Sequence, residues 1–307
     1  MINRFAAANI MKLNREDVLQ IKAILHETWG IRGFRNHEEW SRELNSLPTE
    51  TVNRYWALHE EQAGYLERKK KVPASLELKW YEFLGTQPVA GVVHSHKYPF
   101  TLDTAAAVVA MCRAVDAKGP ILDIGCHIGY HPDIYEKLLG LEVFAIEASQ
   151  AAISTARSVL GDRERIHFIR ADHSKIELPK VQVITCVDAF PYSRGDIALM
   201  LSKFIDAITK DGFIVLAGNL LDIAPGDLSK VCKHLGLGML AHGVTGGWIS
   251  PLNTYENRIW IVLGKSKTAV PRNLDMNWDG FPEYANSTLT PFDEKTQAFF
   301  HCSDSAS

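Results

Sequence analysis

The sequence predicts an α/β protein: an open sheet of five parallel strands plus a terminal antiparallel pair, seven strands in all, preceded by a helical N-terminal module. Three observations carry this. From Ile121 to Leu263 short apolar runs alternate with helical patterns, the rhythm of parallel strands joined by crossover helices. The first run ends in a glycine-punctuated turn, ILDIGCHIGYH from Ile121 to His131, which lets a ligand come close to the backbone. The stretch before it reads as helix, mixed in charge and rich in aromatic residues.

Taken in order, Asn14 is an N-cap followed by the acids Glu16 and Asp17, with Val18, Ile21, Ile24 and Leu25 on one face. Asn36 to Trp40 and Pro48 to Glu50 mark two further helix starts. The aromatic stripe Trp29, Trp40, Tyr55, Trp56 and Tyr65 has packing spacing. A connector from Pro73 to Pro99 carries the cluster His94, His96 and Tyr98, and an alanine-rich helix from Leu102 to Val115 delivers the chain to the sheet. Strands are expected at Ile121–Ile124, Val143–Ile146, Ile166–Arg170, Val181–Val187 and Phe213–Ala217. Helices fall between them, at about Pro132–Leu139, Ser149–Leu160 and Ala198–Ile208, and a further helix runs from about Leu228 to Leu235. Runs near Met239–Val244 and Arg258–Leu263, joined by a short link, read as antiparallel neighbours. This divides the chain into a lid or dimerisation module over 1–100, a ligand-binding catalytic domain over 101–267 and a tail over 268–307 packed on the core.

In an open parallel sheet a ligand sits beyond the carboxyl ends of the strands, where strand order reverses. Asp123, Glu147, Asp172 and Asp188 all fall at such ends. Glu147 stands about eighteen residues beyond Gly129, the spacing at which an acid reaches both hydroxyls of a ribose. With Gly125 and Gly129 after the first acid, the pattern resembles the first motif of class I S-adenosylmethionine (SAM) dependent methyltransferases, acid-x-Gly-x-Gly-x-Gly. His127 takes the place of the middle glycine. The resemblance covers about Thr101 to Lys267 and implies a Rossmann-like seven-stranded methyltransferase sheet with SAM as cofactor. It assigns Asp123 to the turn or the cofactor ammonium, and Gly125 and Gly129 to backbone approach. Glu147 would take the ribose, Asp172 and His173 the adenine, and Asp188 the methionine end.

Methyl transfer asks for a nucleophile aligned with the S–CH3 bond, a base where a proton must leave, and a dry pocket. The catalytic candidates are therefore His94, His96, His127, Tyr130 and Tyr192, with Tyr98, His131, His242 and Trp248 carrying less weight. Tyr192 follows Asp188 and Pro191, where an aromatic face can meet a sulfonium. The segment is similar to the acid-Pro-Pro-aromatic motif of amine-methylating enzymes, but Ala189 and Phe190 interrupt it.

A formal charge of −3, with 33 basic against 36 acidic residues, gives no general pull toward nucleic acid or anionic membrane. The one dense basic run, Lys69 to Lys71, reads as a solvated helix end. Five scattered cysteines without C-x-x-C spacing exclude a disulfide framework and a zinc site, so no metal is expected. No apolar run reaches the roughly 20 residues of a membrane span, and a cytoplasmic protein is expected. The expected reaction is methylation of the oxygen or nitrogen of a small molecule of specialised metabolism. A homodimer through the helical module stays open. One alternative keeps SAM, a SAM-consuming enzyme that releases methylthioadenosine by aminocarboxypropyl transfer or cyclisation; another, from a different class, is a non-catalytic SAM-fold partner subunit. A nicotinamide site is disfavoured because the turn reads G-x-x-x-G and not G-x-G-x-x-G.

Overall fold

The computed structural model describes residues 15–67, 72–86, 89–189, 197–218, 225–249 and 255–265. Helices α1 (Arg15–Ala23, running on into a π-helical turn Ile24–Thr28), α2 (His37–Asn45) and α3 (Thr49–Glu67) open the chain. Asn36 caps α2 by accepting the Glu39 N–H at 2.9 Å, as its position before an acidic first turn leads one to expect. The expected connector is largely helical: α4 spans Ala74–Leu84 and α5 Val89–Ser95. Its short apolar patches failed to register as helix because α4 and α5 bury their faces against partners far along the chain. Helix α6 (Tyr98–Ala114) begins earlier than its alanine-rich segment, with Pro99 in the first turn, where a missing N–H costs nothing.

The sheet is made of β1 (Ile121–Ile124), β2 (Val143–Glu147), β3 (Ile166–Arg170), β4 (Val181–Val187), β5 (Ile208–Gly218), β6 (Leu237–Ile249) and β7 (Tyr255–Lys265). Between them lie α7 (Tyr130–Leu139), α8 (Gln150–Leu160), α9 (Ile197–Ala207) and α10 (Pro225–His234). Strand order is β3-β2-β1-β4-β5-β7-β6. The first five strands pair in parallel, and β7 lies between β5 and β6, antiparallel to both. The fold is thus the Rossmann-like seven-stranded sheet expected from the sequence. The chain reverses direction across the sheet between β1 and β4, so that is where a crevice opens.

Strand side chains alternate between two cores. Ile121, Val143, Val183, Phe213, Val215 and Val262 pack with α1, α6, α7 and α8, whereas Leu122, Ile146, Ile184, Ile214, Leu216 and Ile261 pack with α9 and α10. That alternation is the period of 2 of a strand covered on both faces. A third core of Trp40, Leu44, Tyr55, Phe83, Leu84 and Val89 belongs to α2–α5 alone. The N-terminal helices therefore have their own apolar centre, while α1 and α6 fuse them to the sheet. No helix among the described residues is long and apolar enough to cross a membrane. The tail over 268–307, Lys69 to Lys71 and Asn14 lie outside the described residues.

Candidate functional site at the carboxyl ends of the strands

The turn after β1 is held by three residues at positive φ: Gly125 (71°), His127 (46°) and Gly129 (92°). Its backbone is stitched to β2 by Gly125 N–H and Cys126 N–H donating to the Ile146 carbonyl at 2.8 and 3.1 Å. A Cβ on Gly129 would lie 3.1 Å from both Ala156 Cβ and Phe168 Cζ, and one on Gly125 would lie 2.5 Å from Ala189 Cβ. Both glycines are thus required twice, by conformation and by close approach. The turns after β1 and β4 touch directly.

Four acids were expected around this turn, and the structure sorts them. Asp123 is 1% exposed; its Oδ1 accepts the Thr185 hydroxyl at 2.6 Å, and its Oδ2 has no hydrogen-bond partner among the described residues. Burial, opposed by the Thr185 bond and reinforced by the charge of Glu147, pushes its carboxyl up to about 7. Glu147 braces the turn: Oε2 accepts the His127 N–H at 2.9 Å and Oε1 the Ser149 N–H at 2.8 Å. Burial raises its pKa against those bonds. Asp188 sits at φ 56° after β4 and pairs with Lys97 across 3.1 Å, both side chains largely enclosed.

Asp172 stands apart. It is an exposed turn residue whose Oδ1 accepts the Ser174 N–H and hydroxyl at 3.0 and 2.6 Å, with Lys175 at 3.0 Å from Oδ2. Its partial burial works the other way, yet these bonds lower the carboxyl to about 2. His173 Nε2 is buried with no hydrogen-bond partner among the described residues.

The residues that complete the site come from the N-terminal helices. His94, on α5, places Nε2 2.7 Å from Nδ1 of His127, and His127 Nε2 reaches the Tyr81 carbonyl at 3.4 Å. The His94 ring meets Tyr130 edge-on at 5.1 Å, and Tyr130 meets His131 at 4.6 Å. His131 stacks on Tyr135 at 5.8 Å with the planes 3° apart. Burial, and then the Lys97 charge, hold His127 and His131 at about 3. Glu82, on α4, accepts the N–H groups of Gln150 and Ala151 at 2.7 and 2.8 Å, capping α8 directly after β2.

Sequence reasoning missed Lys97 and Glu82. Nothing local marks either; a signal existed only in the geometry that carries α4 and α5 over the strand ends. His96 belongs elsewhere. Its ring lies 4.4 Å from Trp40 and 6.3 Å from His37, in the aromatic core of the module, although it is two residues from His94. Two residues are roughly half a helical turn, so the run His94-Ser95-His96 divides between site and core. Tyr192 lies outside the described residues. His242 is on β6, remote in sheet order from β1. Among the described residues no cluster of His, Cys, Asp or Glu has the arrangement of a metal site.

Residues 121–212 match a family model described as a methyltransferase domain. No curated protein matches the chain. Among solved structures, the methyltransferase in complex with the Haloferax volcanii Trm112 methyltransferase activator aligns over 60% of this chain and 96% of its own, at 13% identity and a TM-score of 0.48. A SAM-dependent methyltransferase from Clostridium acetobutylicum aligns over 52% and 90%, at 14% identity and 0.42. The magnesium protoporphyrin IX methyltransferase of Synechocystis PCC 6803, with bound SAM, aligns over 53% and 79%, at 19% identity and 0.41.

Proposed function

We propose, from the premise that the chain carries a class I SAM-dependent methyltransferase domain with SAM as its cofactor, that it methylates an oxygen or nitrogen nucleophile of a small molecule under a lid formed by its N-terminal helices. One observation supports the reading most: a buried carboxylate oxygen, Asp123 Oδ2, stands without a hydrogen-bond partner among the described residues at the reversal point of the sheet. Buried polar atoms are paired in nearly every native protein, so this one asks for a ligand donor. The amino group of SAM is such a donor. Glu147, one strand over, would take the ribose hydroxyls with the lone pairs that His127 and Ser149 leave free.

Bound there, SAM supplies an electrophilic methyl group on a positively charged sulfur. The rest falls to the chain's own side chains. Asp188 and Lys97 neutralise one another at the β4 side, Tyr130 presents an aromatic ring beside them, and His94 keeps a ring nitrogen unpartnered among the described residues while both ring nitrogens of His127 are engaged. The lid is argued from three contacts that carry the module onto the strand ends: Glu82 on α8, His94 on the turn after β1, and Lys97 on Asp188. Such a cover excludes water. A cover of that kind favours a small acceptor over a macromolecule.

Release of methylthioadenosine instead of a methylated product would follow if His127 crowded the turn and re-posed the cofactor. The two bonds of its ring to His94 and Tyr81, both on the module, weigh against that. Calorimetry with SAM, S-adenosylhomocysteine and NAD tests the cofactor, and analysis of the nucleoside product tests the bond broken. Micromolar binding of the first two, none of NAD, and S-adenosylhomocysteine as product are expected. Methylthioadenosine would sink the methyl-transfer reading.

A further inference from the structure

His127 stands at φ 46° where a glycine would sit without strain. A bulky residue kept in a strained conformation at a ligand turn calls for a functional reason. Its hydrogen bonds supply one. A carbonyl can only accept, so the contact with Tyr81 puts the proton of the His127 ring on Nε2. The ring is neutral, hence its Nδ1 is a bare acceptor, and the 2.7 Å contact is His94 Nε2–H donating to it. His94 is neutral as well, which leaves the lone pair of its Nδ1 free. That atom is buried, has no hydrogen-bond partner among the described residues, and belongs to a residue 4% exposed.

We propose that His94 Nδ1 is the proton acceptor of the site, that His127 is the residue that positions it by fixing its tautomer, and that the acceptor substrate attacks through a hydroxyl group. This rests on the methyl-transfer reading for the identity of the reaction, though the tautomer assignment does not. An unprotonated amine such as an aniline attacks with its own lone pair and needs no base beforehand, whereas a hydroxyl oxygen is a poor nucleophile until its proton leaves. The O–H bond breaks, the bonding pair stays on oxygen and the proton goes to Nδ1. The resulting imidazolium then donates more strongly through Nε2 to His127, and His127 to the Tyr81 carbonyl. The groups facing His94 are His127 in the turn, Tyr130 and His131 on α7, and Lys97 before α6. Burial first, then these neighbours, hold its pKa well below the usual imidazole range, which keeps the ring neutral and its Nδ1 open before the proton arrives.

The tautomers can be read without cofactor or acceptor. In long-range 1H–15N spectra of histidine-labelled protein at pH 7, His94 is expected as the neutral form protonated on Nε2, assigned by its disappearance in His94→Gln. His127→Gly should release it to a mixture of tautomers. His127→Asn, which is at home at positive φ and puts an amide oxygen where Nδ1 was, should restore the wild-type form. A proton on Nδ1, an imidazolium, or no response to His127→Gly overturns the positioning role. Failure of wild type to bind SAM by calorimetry would overturn the underlying reading instead. With SAM and matched sets of phenols and anilines, S-adenosylhomocysteine release is expected with phenols. His94→Gln should lower that turnover at least 100-fold with KM within about threefold. Release with anilines alone, or with neither set, overturns the hydroxyl assignment.

Discussion

The two sides of the glycine turn are built by different means. On the β2 side, Glu147 holds the N–H groups of His127 and Ser149, twenty and two residues away in sequence. On the β4 side, His94 meets His127 across 33 residues and Lys97 meets Asp188 across 91. The first side is assembled by any chain that forms β1 and β2 in register. The second exists only once α5 has docked on the sheet, so it couples the N-terminal module to the site. Substitutions on the two sides should therefore fail differently: the β4 side by undocking the module, the β2 side by losing ligand with the module in place.

Asp188→Asn tests the β4 side and carries the largest effect. Asparagine tolerates φ 56°, so the backbone is kept while the carboxylate facing a largely enclosed Lys97 is lost. Removing one partner of an enclosed pair costs about 3 kcal/mol, most of it from the stranded charge. Urea unfolding should show that loss, and the double substitution Lys97→Met/Asp188→Asn should recover most of it. If the double variant is no better than the single, the ion pair is not what ties the module down. Glu147→Gln comes next. It leaves one backbone N–H facing an NH2 donor and weakens a charged acceptor, so SAM affinity should fall about 100-fold, near 2.7 kcal/mol, with about 1–2 kcal/mol of stability lost. Undiminished SAM affinity by calorimetry would remove Glu147 from the ligand.

The same contrast explains what could be read from the sequence. β1, β3 and β4 were legible to the residue because each is an apolar run bounded by a turn signal, and the place of Glu147 at the end of β2, beside the glycine turn, was legible because its distance from the glycines is set by one crossover. The acid at Asp172 carries the same strand-end signal, yet it is spent on its own turn with Ser174 and Lys175. A strand end fixes position; it does not fix which way a short side chain turns. Helices α4 and α5 were read as connector, and with them Lys97 and Glu82 were lost, because a lone lysine or glutamate in a mixed-charge helix reads as a solvated face. His94 and His96 were equivalent in sequence and became inequivalent only when Trp40 took one of them.

Asp123 belongs to both sides, and its titration sharpens the comparison. Its carboxyl, ordinarily near 3.8, is raised to about 7 by burial. The folded protein thus holds this proton more tightly than the unfolded chain does, and this group's contribution to stability falls as pH rises from about 4 to about 7. Ligand binding has the opposite sign. A cationic amino group at Oδ2 favours the ionised form, so SAM affinity should rise about tenfold per pH unit below pH 7 and level off above it, with a proton released on binding. Calorimetry at pH 6 in buffers of different ionisation enthalpy measures that proton. Asp123→Asn should abolish both the release and the pH dependence; a pH-independent affinity in the wild type would place the ammonium elsewhere.

The smallest effect expected separates docking of the module from catalysis. Glu82 reaches from α4 to cap α8 with both carboxylate oxygens on the β2 side, one residue beyond the Tyr81 carbonyl to which His127 donates. Glu82→Ala uncovers two N–H groups at a helix start, worth about 1 kcal/mol, and removes an anion from the positive end of that helix. If the module is tied down chiefly on the β4 side, this variant keeps the Nε2–H tautomer of His94 and binds SAM within about threefold of wild type while unfolding about 1 kcal/mol earlier. A loss of the His94 tautomer in Glu82→Ala would mean instead that both sides dock together, and that the cap on α8 is as much a part of the site as Lys97.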